Sequence, residues 1–453
     1  MSRRDIALKY FNEQSDFMKE RVTSGIELYR KAFCQVMFVD REGNPIKDVA
    51  FKATQKSHDF NFGCNMFLLD EFETEEKNQK YREIFPTAFN YAIAPFYWNA
   101  LEPEKGKPRY AADSPKFYRR PAPDLVLDYC EQNNIRVKGH CLVYDSFAPA
   151  WLKNEDVPVI KREIEAHLKE VATRYKNRIS DWDIVNEMLC WDVYGTEHTT
   201  KFFREDDYVS YCFDIAGRYP FSRKFINEAA GIWDNFHFNR SYYYLLLKTL
   251  LNEGVNFDAV GLQMHQFSNR DKETEYALHR YNPMRIYDLL DTYASLGKPL
   301  QISEITVASY NGDEEDMEVQ AELIENIYKI FFSHKAMDGV VYWNLVDGYT
   351  YVPGAKESGA QSMLNMNVGE NKYGGGLLYS DLSPKPAYKV LQRLLNKEWH
   401  TEEVVHTNTE TGLAKFKGFK GMYDLEVECN GKKYVKQLHL DSRYDVVNKI
   451  VLD

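Results

Sequence analysis

The sequence predicts an α/β fold: a (β/α)8 TIM barrel with a short N-terminal helix and β lead-in and a small C-terminal all-β appendage. Three observations predict it. From Phe60 to about Leu395 eight short β-rich runs follow one another, helical stretches separate several of them, and polar residues gather at the C-terminal ends of the runs.

Before the runs, residues from about 8 to 30 read as an amphipathic helix, and VMFVDREGNPIKDVAFKAT reads as two short strands joined by a turn at Gly43 and Asn44. Residues 1–58 are therefore expected to form a lead-in packed on the barrel. The barrel, residues 59–400, follows in the runs FNFGCN, FNYAIA, IRVKGHCLVY, DWDIVNE, RKFINE, FDAVGLQMH, PLQISEITV and DGVVYWNLVD. APDLVLDYCEQNN, VIKREIEAHLKEVATRYK, RSYYYLLLKTLLNEG and EVQAELIENIYKIFFSH supply helices between them. A Gly-rich stretch around Gly354 to Gly376 reads as a long loop at the barrel top. After KPAYKVLQRLLNKEWH the pattern turns to alternating strands (AKFKGF, MYDLEVEC, KKYVKQLHL, NKIVLD), which makes 401–453 a small β appendage.

Composition narrows the partners. The net charge of -11 and the absence of any basic stripe argue against nucleic acid. No apolar stretch approaches the ~20 residues of a membrane span, and MSRRDIALKYFNEQSDFMKERV holds no export signal, so a soluble cytoplasmic protein is expected, secreted or periplasmic only if an export signal preceded it. Seven cysteines, an odd count without CxxC spacing, read as buried free thiols rather than disulfides or a zinc site. The 32 tyrosines suit either core edges or a surface that stacks on flat apolar faces. Oligomeric state is not legible.

Chemistry in such a barrel sits where the strands end. His140, Asn186 and Glu187, Asn227 and Glu228, Gln263 and His265, Glu304, Trp343 and Asp347 all fall there. Glu187 closes DWDIVNE and Glu304 closes PLQISE, the fourth and seventh runs, which face each other across a barrel mouth. Cutting a glycosidic bond takes one carboxylic acid to protonate the leaving oxygen and one carboxylate to support the oxocarbenium-like centre, so this pair suits that reaction.

At these residues the sequence resembles glycoside hydrolase family 10, best known for endo-β-1,4-xylanases, over roughly residues 25–395. The resemblance rests on KGHCLVY, WDIVNEM, VGLQMHQF, ISEITV, YWNLVDGYTY and KPAYKVL, with FNFGCN and NALEPEKG in support. It implies retaining cleavage of a β-linked xylan-like glycan without metal or organic cofactor, an oligo- or polysaccharide being the partner. Glu187 is implied as acid/base and Glu304 as nucleophile. Asn186 is implied to bond the sugar 2-hydroxyl, Gln263 and His265 to orient the nucleophile, and His140 and Trp343 to line the cleavage subsite. In that scheme Glu187 holds a raised pKa while Glu304 is ionised.

The chain also departs from the family. Ile93, Ala94 and Tyr97 stand where the family has a Glu, an Asn and a Lys that hold sugars on the non-reducing side. Tyr144, Asp145, Ser146 and Phe147 replace Trp-His-Ser-Gln, Thr306 replaces an aspartate, and Tyr351 a late tryptophan. Phe96, Tyr97, Tyr144 and Phe147 then suggest a decorated, branched or less hydroxylated glycone, or an aglycone with an apolar face, while Asp145 either bonds a sugar hydroxyl pair or pairs with a nearby base. Two alternatives stay open: a β-glycosidase for a different or decorated glycoside, endo or exo, and a catalytically weak carbohydrate-binding protein.

Overall fold

The computed structural model describes residues 2–190, 197–233, 237–352, 365–443 and 445–452. In chain order its strands are β1 (Lys31–Val39), β2 (Ala50–His58), β3 (Asn61–Asn65), β4 (Tyr91–Pro95), β5 (Arg136–His140), β6 (Asp181–Asn186), β7 (Arg223–Glu228), β8 (Ala259–Gln263), β9 (Leu300–Ile305) and β10 (Met337–Tyr342), then β11 (Glu402–His406), β12 (Leu413–Phe419), β13 (Gly421–Cys429), β14 (Lys432–Leu440) and β15 (Val447–Val451). Strands β3 to β10 close a parallel eight-stranded barrel, β10 pairing with β3. Each of the eight runs read from the sequence is one of these strands.

The barrel strands are apolar on both faces because helices cover the outside and packed side chains fill the inside. Every residue of β3, β4, β6, β8 and β9 is buried. The four helices expected between runs form at Pro123–Gln132, Val157–Arg174, Tyr242–Asn252 and Glu314–Ser333. Part of the Gly-rich stretch, residues 353–364, lies outside the described residues.

The N-terminal helix is broken into Arg3–Ala7, Lys9–Glu13 and Ser15–Gly25. Buried Arg3 anchors it, reaching Glu273 at 3.0 Å and Asp316 at 3.2 Å and donating to the Ala308 carbonyl at 2.7 Å.

The two strands after it do not form a hairpin. The turn is present, with Gly43 at φ 86°, but β1 lies between β12 and β15 while β2 lies between β11 and β13. Each therefore enters a different sheet with strands from the C-terminal segment. One core of Val36, Phe38, Phe51, Phe416 and Leu425 joins the two sheets. The strand β11 was not anticipated.

All seven cysteines are free thiols, five of them buried. Among the described residues no helix is long and apolar enough to cross a membrane.

Candidate active site

Strand register brings the site together. Asn186 at the end of β6 pairs with Asn227 of β7, and a register shift in β8 sets Gln263 opposite Glu304 of β9. Asn227 Nδ2 donates to Glu304 Oε1 at 3.0 Å and to Asn186 Oδ1 at 2.7 Å. Gln263 Nε2 donates to Glu187 Oε1 at 3.2 Å and to Asn186 Oδ1 at 3.4 Å. One amide network thus joins two carboxyls that are remote in the chain.

The second oxygens are held as well. Tyr144 donates its hydroxyl to Glu187 Oε2, and His265 Nε2 lies 3.2 Å from Glu304 Oε2. Burial pulls the His265 ring down to about 4, so near neutral pH it is uncharged and faces the Glu304 carboxyl through Nε2. His140 Nδ1 sits 2.8 Å from Asp183 Oδ2 and its Nε2 3.8 Å from Glu304 Oε1. Lys138, fully buried, reaches the other oxygen of Asp183 at 2.7 Å. Burial pushes Asp183 up, but Lys138 and His140 outweigh it and hold the carboxyl below its ordinary range. Glu187 takes φ 53°, a left-handed conformation costly for a side-chain-bearing residue and concentrated at functional sites.

Burial is the largest influence on Glu304 and, with the Glu187 charge, carries its carboxyl up to about 8 against the pull of His140 and Asn227. An ionised Glu304 was expected. Its depth explains the difference, since only 4% of the residue is exposed.

Several expected residues have other partners or places. Gln263 bonds Glu187, whereas Asn227, to which no role was given, bonds Glu304. Asp145 is 3% exposed, with Oδ2 at 2.6 Å from His198 Nδ1 and Oδ1 accepting from the Thr199 amide at 2.9 Å. Of its two readings, the structure has the pairing with a base. Phe96 is wholly buried against Tyr175 and Trp182, away from the cleft. Glu228 accepts from the amides of Leu189, Ala229 and Ala230 at 2.6–2.8 Å and shapes the loop behind Glu187. Asp347 is bound to buried Lys385 at 2.6 Å.

Beside the amide network stands an apolar wall. Ile93, Tyr97, Phe67, Cys141 and Trp343 form one buried cluster, with Tyr144 and Phe147 against it. The Tyr97 ring centre lies 5.2 Å from His140 and 4.5 Å from Phe147, and Trp343 packs 5.3 Å from His140. Tyr351, 38% exposed, continues the wall outward at 6.3 Å from Phe147. Thr306 is buried and accepts from Asn344 at 3.5 Å. The signal for Asn227 was present in the sequence, because RKFINE repeats the Asn-Glu ending of DWDIVNE.

The model of glycosyl hydrolase family 10 matches residues 52–393. A β-1,4-xylanase of Dictyoglomus thermophilum is 25% identical over 278 residues, covering 56% of this chain and 73% of that protein. The anti-sigma-I factor RsgI6 of Acetivibrio thermocellus is 23% identical over 428 residues, which cover 93% of this chain, and the chain spans only 48% of that relative. Among solved structures, xylanase 10B of Thermotoga petrophila RKU-1, determined with xylobiose, superposes with a TM-score of 0.56 at 21% identity, covering 75% of this chain and 94% of that one. With a family match over most of its length and the family's barrel, the chain belongs to glycosyl hydrolase family 10 and is a xylanase-like glycoside hydrolase.

Proposed function

We propose that this chain cleaves a β-linked, xylan-like glycan with retention of configuration, by double displacement between Glu187 as acid/base and Glu304 as nucleophile. One observation carries the reading: both carboxyls end barrel strands and share a single hydrogen-bonded network through Asn186, Asn227 and Gln263. The xylobiose held by the Thermotoga petrophila enzyme supports the substrate class.

In the first step Glu187 protonates the departing oxygen while Glu304 attacks the anomeric carbon. In the second, the same Glu187, now a carboxylate, takes a proton from water that releases the sugar. With the cleft empty, burial favours a proton on Glu304; reaction needs that carboxyl ionised and a proton on Glu187, beside the leaving oxygen. Asn227, His265 and His140 face Glu304 with donors or positive edges that favour its ionised form once the proton moves. Asn186 keeps its Nδ2 without a partner among the described residues, which supports its role as donor to the sugar 2-hydroxyl.

The apolar wall around Tyr97 favours a second reading within this chemistry, a decorated β-glycoside in place of plain xylan. The test of the first is trapping with a 2-deoxy-2-fluoro-xylobioside. We expect one covalent adduct, mapped by peptide mass spectrometry to Glu304 and absent in Glu304→Ala. An unlabelled protein that still binds xylo-oligosaccharides would instead indicate a binding protein.

A further inference from the structure

Beside the carboxyl network, on the far side of the aromatic wall, lies a cavity of about 950 Å³. Its lining includes Arg119, Arg120 and Lys153 and no carboxylate among the described residues, in a chain whose net charge is -11. Like charges gathered without counter-ions are costly unless something anionic joins them.

Neither arginine has a carboxylate partner among the described residues. Arg119 is 3% exposed, donates to the Tyr349 carbonyl at 2.5 Å and leaves its Nε without any acceptor. Arg120 gives one bond to the Arg119 carbonyl at 2.8 Å. Its guanidinium lies 3.8 Å over the Tyr97 ring and 5.4 Å from Phe147, so the aromatic wall separates it from the carboxyls by one ring. Glu71, on which the Arg120 charge acts through space, is pushed up to about 8 by burial and carries its proton near neutral pH. Two further features fit a sugar rather than a bare ion. Phe147 and Tyr351, aromatic rings of the kind on which a pyranose stacks, line the cavity, and Asn99 Oδ1 is buried with no donor among the described residues.

We infer that this cavity holds a uronic acid unit of the glycan, its carboxylate on Arg120, its ring against Phe147 and Tyr351, and a hydroxyl donating to Asn99. A planar guanidinium fork matches a carboxylate bidentately, which makes Arg120 the anchor and Lys153 a weaker aid at the mouth. The inference rests on the glycosidase reading and names the decoration that the altered cleft accepts.

Binding to the full-length Glu187→Gln protein tests it by calorimetry with three probes: xylotriose, xylotriose carrying a glucuronic acid branch, and methyl β-D-glucuronide. We expect the acidic trisaccharide to bind about tenfold or more tightly than the neutral one. Adding Arg120→Gln should bring the ratio to near one, Lys153→Gln should lower it less, and high salt should shrink it. Equal affinities for both trisaccharides, or a preference that survives Arg120→Gln in a protein of unchanged circular dichroism, overturns the inference and leaves the glycosidase reading standing. Tighter binding of a sulfated xylotriose than of the uronic one overturns the carboxylate assignment. If xylo-oligosaccharides neither bind nor are cut, the glycosidase reading falls; Arg120-dependent binding of methyl β-D-glucuronide then still supports the cavity's role, and its absence ends it.

Discussion

At the scale of single residues the raised carboxyl of Glu304 makes the sharpest prediction. Glu304 lies near 8 because burial and a neighbouring negative charge disfavour its ionised form. The nucleophile should therefore ionise, and kcat/KM for an activated xyloside should rise, as pH rises past about 8. Glu187→Gln removes the negative neighbour, so Glu304 should ionise at lower pH. With 2,4-dinitrophenyl xylobioside, whose leaving group needs no acid, the rise should then move to lower pH; a rise that stays at about 8 would place the titrating group elsewhere. The same shift links to folding. A carboxyl raised above its unfolded value stabilises the fold below about pH 4.5 relative to alkaline pH, and that contribution is lost as pH rises through about 8. Glu304→Gln should accordingly gain thermal stability over the parent at pH 9 and gain little at pH 4. Tyr144 gives a second test. Tyr144→Phe deletes the hydrogen bond to Glu187, worth about 0.5–1.5 kcal/mol or more, and should lower kcat/KM roughly tenfold while the melting temperature falls by no more than a few degrees.

At the scale of elements, strand β8 shows how backbone geometry reaches the chemistry. A Cβ at Gly261 would stand 2.2 Å from Asn227 Oδ1, and Asn227 is the amide that holds Glu304. Gly261→Ala should destabilise by about 1–3 kcal/mol through overpacking and lower kcat by displacing Asn227. Gly217, closing the helix Tyr208–Gly217, has open space around its Cβ position. Gly217→Ala should instead stabilise by up to about 1 kcal/mol without changing activity. The barrel strands were legible because parallel strands covered on both faces leave continuous apolar runs, with polar residues only where each run opens to the cleft. Partnerships inside the cleft were not. Gln263 bonds Glu187 instead of the Glu304 expected of it, and Asn227 of the neighbouring strand bonds Glu304, because side-chain partners across three strands are not written in any one of them.

At the scale of the whole molecule, the barrel and the β sheets meet at an aromatic seam. Trp399, 3% exposed, stacks on Phe332 at 4.3 Å and on Phe62 at 5.8 Å, and Phe332 reaches Phe419 of β12 at 5.9 Å. Removing that ring should cost about 3–5 kcal/mol. We expect Trp399→Ala to split a single calorimetric transition into two, the sheets melting before the barrel. If the transition moves down but stays single, the seam stabilises without coupling the two parts.

Local patterns determined much about this protein: the barrel, its strand order and the two glutamates at strand ends, all carried by residues within a few positions of each other. Only the tertiary structure decided that β1 and β2 separate into two sheets completed by the C-terminal strands, that Asp145 serves His198 and Thr199, and that Arg120 crosses to the face of Tyr97. Each of those depends on which distant segments lie side by side. A side chain's partner is a property of packing in three dimensions, whereas the periodicity of a strand or helix is written along the chain.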